Sequence, residues 1–210
     1  MRNPTFRHER ELIAQGYCPV GIDEAGCGPL AGPVIAAACI VPLHARIALL
    51  RDSKLLSAAQ RERALALLAQ RGAVWGIGAA SVVEIDTVNI RQATHLAMRR
   101  AVAVLLEASS SAATHALVDA WHIPNLPIPQ RAIIGGDRIV KSIAAASIIA
   151  KVHRDRLMVE YDAMYPEYGF SRHKGYGTKA HLEAIAKYGI TSLHRATFCH
   201  YALDKKDGKC

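Results

Sequence analysis

Four carboxylates stand where chemistry is easiest to build. Asp23 and Glu24 close a predicted strand over residues 17–23, Asp119 closes another over 115–119, and Asp137 follows a third over 131–134. In α/β proteins, sites gather at strand ends beside the loops. Carboxylates brought together there repel one another unless a cation neutralises them. An all-oxygen ligand set suits Mg²⁺ or Mn²⁺ rather than zinc. Acids around two such ions can run an in-line displacement at phosphorus, one ion activating water and the other stabilising the leaving oxygen. Adjacent strand residues point to opposite faces. Asp23 and Glu24 therefore share a site only if the strand end is twisted or bulged, which Gly26 and Gly28 permit. Read singly, each acid is equally an ordinary solvated residue at a strand end.

The rest of the composition fits such a site. The chain has 210 residues, 51% of them hydrophobic, enough for one domain-sized core and too apolar for disorder. Lys and Arg number 26 against 18 Asp and Glu, and the net charge of +8 favours a polyanion partner. The cysteines, Cys18, Cys27, Cys39, Cys199 and Cys210, are odd in number and form no C-x-x-C pair, which points to a reducing compartment. Residues 1–15 lack the apolar core of a signal peptide. The most apolar run, 29–43, is broken by Gly32, Pro33 and Pro42. It falls short of the roughly 20 residues that cross a bilayer. The expectation is a cytoplasmic protein with no membrane contact.

The elements that must position the acids follow from periodicity and punctuation. Residues 34–41 read as a buried strand, hairpin-paired with 17–23 across a Gly-Pro-rich turn. Ser57 opens a helix with Gln60 at the capping-box position, Leu65 and Leu68 on one face, and Gly72 at its end. Residues 73–80 form a third strand. Ser81 and Glu84 make a second capping box before a long helix over 87–107. A polar loop at 109–113 leads to the strand 115–119, and three prolines make 121–130 irregular. After the strand 131–134, a long helix spans 143–164, and a last helix runs from Thr178 to Gly189. Strands followed by alternating strands and helices predict an α/β architecture with a mixed sheet.

Competing patterns are weaker. Gly26, Gly28 and Ala31 satisfy G-x-G-x-x-A, but a dinucleotide fold needs a helix there, and Gly32-Pro33 intervenes. His153-Arg154-Asp155 mimics a kinase catalytic loop but lies in a helical pattern and reads as a solvated face. The 10 histidines have no zinc spacing with the cysteines, and most read as surface or capping residues. Trp75 and Trp121 read as packing groups, and the cysteines as small buried side chains.

Longer motifs carry a specific resemblance. Residues 21–34, Gly-Ile-Asp-Glu-Ala-Gly-Cys-Gly-Pro-Leu-Ala-Gly-Pro-Val, closely resemble the opening motif of the ribonuclease HII family. Asp52-Ser-Lys-Leu-Leu-Ser57 resembles its DSK-x-L-S segment, and Leu117-Val-Asp119 and Gly136-Asp137 fall where its third and fourth acids lie. Residues 143–155, 165–170, 173–178 and 194–198 are similar to its later motifs, so the likeness covers about residues 20–198. It implies an RNase H-like five-stranded mixed sheet flanked by helices, with a C-terminal helical extension. The implied division is an N-terminal segment 1–16, a catalytic domain 17–165, the extension 166–203 and a flexible tail 204–210.

The resemblance implies an endonuclease acting on the RNA strand of RNA–DNA hybrids. It would also nick 5′ to single ribonucleotides in duplex DNA, in repair and replication, as a monomer. The ends would be 3′-hydroxyl and 5′-phosphate. Asp23, Glu24, Asp119 and Asp137 inherit catalysis and the binding of Mg²⁺ or Mn²⁺, two ions during the reaction. Gly26, Cys27, Gly28, Ser53 and Lys54 inherit nucleic-acid contacts, and Tyr176 the packing at the RNA–DNA junction. Arg172 and Lys174 are basic groups suited to phosphates. The chain departs from the family pattern at Cys27, usually Arg, at Ala120, usually Gly, and at Gly135, usually Lys. Ala120 costs little unless the turn needs positive φ. A second hypothesis, an idle nucleic-acid-binding module, conflicts with four acids at a phosphate-binding surface.

Overall fold

A computed structural model describes residues 3–108 and 113–199. The tail expected at 204–210, and all but Ala113 of the loop expected at 109–113, lie outside the described residues. Five strands form one mixed sheet: β1 Pro19–Ala25, β2 Val34–Ile40, β3 Val74–Ala80, β4 His115–Asp119 and β5 Gln130–Ile133, in the order β3-β2-β1-β4-β5. The β1–β2 and β2–β3 pairs are antiparallel, and β1–β4 and β4–β5 are parallel. This is the expected α/β mixed sheet.

Helices cover both faces. Helix α1 spans Arg7–Ile13, α2 Ala58–Gln70, α3 Val82–Ala108, α4 Lys141–Met164, α5 Phe170–His173 and α6 Lys179–Tyr188. On one face, Ala93, Ala97, Ala101 and Leu105 of α3 pack on Val20, Ile22, Val34 and Ala36. On the other, Ala64 and Leu68 of α2 and Ala145 and Ile149 of α4 pack on Ile35, Ala37 and Cys39. The contact between α4 and β1 is close because Gly21 has no side chain: a Cβ there would collide with the backbone of Ser142 and Ile143. Helices α5 and α6 share a third core with the chain after β1, where Phe170 and Ile185 meet Leu30, Ala31 and Met158.

The capping boxes form as expected. Ser57 Oγ accepts from Gln60 N–H at 3.3 Å while Gln60 Oε1 accepts from Ser57 N–H at 2.9 Å, and Ser81 and Glu84 exchange the same pair. The second box starts α3 at Val82, five residues before the expected start. Asn89 then breaks the helix with φ 68 and ψ 162, and its Oδ1 accepts from Gln92 N–H to cap the second segment. Helix α1 is not visible in the sequence pattern. Its Glu9 is buried, and Glu9 Oε1 accepts from Ser142 N–H at 2.8 Å, capping α4.

Candidate active site

The carboxyl ends of β1 and β4 and the turn after β5 open onto one cavity of about 220 Å³. Asp23, Glu24, Asp119 and Asp137 all line it. Asp119 Oδ1 accepts from Gly136 N–H at 2.6 Å, which ties the end of β4 to the 3₁₀ turn Gly136–Arg138 carrying Asp137. Asp23 Oδ1 accepts from Glu24 N–H at 2.7 Å.

No bulge brings Asp23 and Glu24 together. The β1–β2 register runs regularly through Asp23↔Ala37, Glu24↔Ala36 and Ala25↔Ile35. The β1–β4 ladder instead stops at Ile22↔Val118, so the end of β1 projects past its neighbour. Asp23 faces α4, within reach of Ser147, and Glu24 faces α3 through Cys27. The two opposite faces meet in one cavity because β4 does not continue beside them, although β2 does.

The electrostatics are those of crowded anions. Burial, then Glu24 and Asp119, holds Asp23 well above the usual carboxylate range. Burial likewise raises Glu24 and Asp119, and burial with Asp52 and Asp119 lifts Asp137 to about 6. Burial disfavours charge on Lys54, but Asp52, Asp137, Asp23 and Asp119 outweigh it and push its pKa up. Among the described residues, no three His, Cys, Asp or Glu side chains are already gathered to hold one ion. The donor set nevertheless fits a hard divalent cation. All four groups are oxygen donors, their charges repel, and Glu24 Oε2 is buried without a partner.

Gly26, Cys27, Gly28, Ser53, Lys54 and Tyr176 line the same cavity. Arg172 and Lys174 do not: Arg172 is exposed elsewhere, and Lys174 offers its carbonyl to Arg154. The Cys27 thiol turns inward, 3.4 Å from both Glu24 Oε1 and Thr94 Oγ1, and burial and Glu24 push it up to about 12. It is therefore a neutral donor to Glu24.

Besides Ala25, the three lining residues on α4 escaped the sequence reading: Ser147, Lys151 and Arg154. Their i, i+4, i+7 spacing on one helix face was the available signal. Arg154 corrects the solvated-face expectation. It is 1% exposed and donates to the carbonyls of Ala31, Pro33 and Lys174. Gly26, with φ +102, leaves room for that side chain, since a Cβ there would collide with Arg154 Nε. Arg195, also buried, donates to the carbonyls of Gly26, Cys27 and Gly32. Two guanidiniums thus clamp the turn between β1 and β2.

Other residues also depart from expectation. His95, His181 and His194 are buried rather than at the surface. Trp121 is half exposed, with the Arg91 guanidinium 4.3 Å from its ring centroid, so it is no packing group. Cys39 and Cys199 are buried, but Cys18 and Cys27 only partly. His181 and His194 form an ordered chain behind Tyr176. His194 Nδ1 accepts from Thr191 N–H, so its proton sits on Nε2 and points at His181 Nε2, 3.1 Å away. That leaves His181 protonated at Nδ1, donating to the Tyr176 carbonyl at 2.9 Å.

A five-stranded mixed sheet in the order β3-β2-β1-β4-β5, flanked by helices, is an RNase H-like fold, and the comparisons agree on it. The ribonuclease H2 of Pyrococcus horikoshii OT3 superposes with a TM-score of 0.68 at 22% identity, over 91% of this chain and 99% of that one. Bst-RNase HIII, solved in complex with Mn²⁺, gives 0.70 at 18% identity over 90% of this chain and 70% of that one. Sequence goes further. The Ribonuclease HII family model matches residues 20–201. The ribonuclease HII of Halorhodospira halophila is 53% identical over 85% of this chain and 90% of its own. That of Desulfitobacterium hafniense is 48% identical over 92% and 73%. The chain belongs to the ribonuclease HII family and is a ribonuclease H.

Proposed function

We propose that the protein is an endonuclease that hydrolyses the RNA strand of RNA–DNA hybrids and nicks 5′ to single ribonucleotides in duplex DNA. The products carry 3′-hydroxyl and 5′-phosphate ends. One observation carries this reading: the four carboxylates share a cavity with the glycine turn 26–28 and with Tyr176. Asp23, Glu24, Asp119 and Asp137 would hold Mg²⁺ or Mn²⁺, which would supply charge neutralisation at phosphorus and activation of the attacking water. The chain's own groups do the rest. Arg195 and Arg154 fix the turn 26–33 from behind, so its glycines meet the strand as a rigid edge. A 2′-hydroxyl both donates and accepts, which backbone groups at close approach can read. Lys54 places a cation among the acids to orient the phosphate. Tyr176, 47% exposed at the cavity wall, offers its ring to the deoxyribose on the 3′ side. No described helix is long and apolar enough to cross a membrane.

The experiment is cleavage of a duplex with one embedded ribonucleotide and of a long hybrid, with Mg²⁺ and Mn²⁺ tested separately. Asp23→Asn should abolish both activities with the fold intact. Tyr176→Ala should reduce cleavage at the single ribonucleotide more than cleavage of the hybrid. Near-normal turnover in Asp23→Asn with saturating metal sinks the catalytic assignment. Equal losses on both substrates in Tyr176→Ala, with a large drop in melting temperature, return that tyrosine to a packing role.

A further inference from the structure

A second cavity, of about 440 Å³, is lined by residues that alternate in sequence with those of the acidic one. The same two turns line both. Ser53, Lys54 and Asp137 face the acidic cavity, while Asp52, Leu55, Gly135 and Arg138 face the other. Two arginines enter this second space, Arg51 and Arg138. Arg51 has no hydrogen bond or ion pair among the described residues, and its Nε is buried without a partner. Arg138 has a single loose partner, Asp137 Oδ1, 3.9 Å from Nε. That is too far for a hydrogen bond.

We propose that Arg51 and Arg138 bind a backbone phosphate of the nucleic-acid strand, next along the chain from the phosphate held among the four acids. This rests on the nuclease reading above. Guanidinium groups suit phosphate because their forked donors match its oxygens. Among the described residues neither guanidinium has a hydrogen-bond acceptor, so a phosphate entering the cavity meets donors that no protein group has claimed. The one carboxylate in the cavity, Asp52, is engaged in its own turn, where Oδ1 accepts from Lys54 N–H at 3.0 Å. The apolar part of the wall, Leu55, Ile139 and the 87% exposed Ile134, fits the sugar face beside a phosphate.

Gly135 explains how Arg138 reaches this place. Arg138 Nη2 lies 2.7 Å from where a Cβ on Gly135 would be. The guanidinium thus occupies side-chain space that position 135 leaves open.

The test is equilibrium binding of the full chain to a fluorescein-labelled duplex with one ribonucleotide, followed by anisotropy in EDTA across a salt series. Each lost phosphate contact reduces the slope of log K against log salt by about 0.9. Arg51→Gln and Arg138→Gln should each show that reduction. A neutral methylphosphonate walked along the strand should weaken wild-type binding at one position flanking the scissile phosphate. The double variant should be indifferent to it there. Arg138 is exposed, so its variant folds even if Arg51→Gln is impaired. Unchanged slopes, with the same methylphosphonate penalties in wild type and variants, overturn the proposal. A wild type that neither binds nor cleaves the duplex overturns the nuclease reading instead.

Discussion

Removing the charge at Asp137 should stabilise the metal-free protein while destroying its activity. Its carboxyl ionises near pH 6 because it is buried beside Asp52 and Asp119. An ordinary aspartate ionises near 3.9, so the nominal penalty for charging it in the fold is about 3 kcal/mol. Asp137 is 7% exposed but borders an open cavity, so solvent screens part of that penalty. About 1–2 kcal/mol is the expectation for Asp137→Asn at pH 7.5. The folded-state pKa lies above the unfolded one. Below about pH 4 the carboxyl is protonated in both states and costs nothing; the penalty grows between about 4 and 6 and is complete above that. The gain from Asn should follow the same curve. For a chain of this size it appears as roughly 3–6 °C in melting temperature. Thermal unfolding in EDTA at pH 7.5 and at pH 4 measures it, and adding Mn²⁺ should close the gap by stabilising the wild type alone. An Asn variant that is less stable at pH 7.5, or equally shifted at both pH values, refutes the picture of crowded, uncompensated anions.

Two other outcomes are expected. Ala120 sits at φ 56, the left-handed region that its side chain disfavours, so Ala120→Gly should stabilise by about 1 kcal/mol in urea unfolding; no gain would show that the turn carries no strain. Burial holds both His181 and His194 near pH 4, below the ordinary 6.5, so each favours the fold above about 6.5 and loses that contribution as pH falls towards 4. Nitrogen NMR should find His181 as the Nδ1–H and His194 as the Nε2–H tautomer, unchanged from pH 8 to pH 5, and titration of either near 6.5 would contradict the buried chain.

What was legible in the sequence was local or repeated. Ser57 with Gln60 announces a helix start because both partners of the box lie within four residues. The acids at 23, 119 and 137 stand out because strand ends are marked by composition. Helix α1 was not legible: Arg7–Ile13 has no apolar stripe, and its contribution is Glu9 capping α4 across 133 residues. Arg154 was misread for the same reason, since its acceptors at Ala31 and Pro33 lie more than 120 residues away. The meeting of Asp23 and Glu24 depends on where β4 stops, which no pattern within β1 records.

The two clamping arginines link fold to function in a way that neither motif displays alone. The turn from Gly26 to Pro33 contains two prolines, which have no N–H, and it is therefore short of donors for its own carbonyls. Left unpaired under the C-terminal helices, those carbonyls would each cost about 1–3 kcal/mol. A guanidinium carries five N–H donors in a rigid fork, so two of them can satisfy several carbonyls at once. Arg154 reaches in from α4 and Arg195 from beyond α6, which ties the turn to both the catalytic sheet and the C-terminal helices. Burial, then Arg154, lowers Arg195 to about 10, so it stays charged at neutral pH. The clamp therefore also puts two positive charges behind the edge that a polyanion approaches. A lysine in either place would keep the charge but lose the fork, leaving the glycine edge free to move where close backbone approach requires it to be fixed.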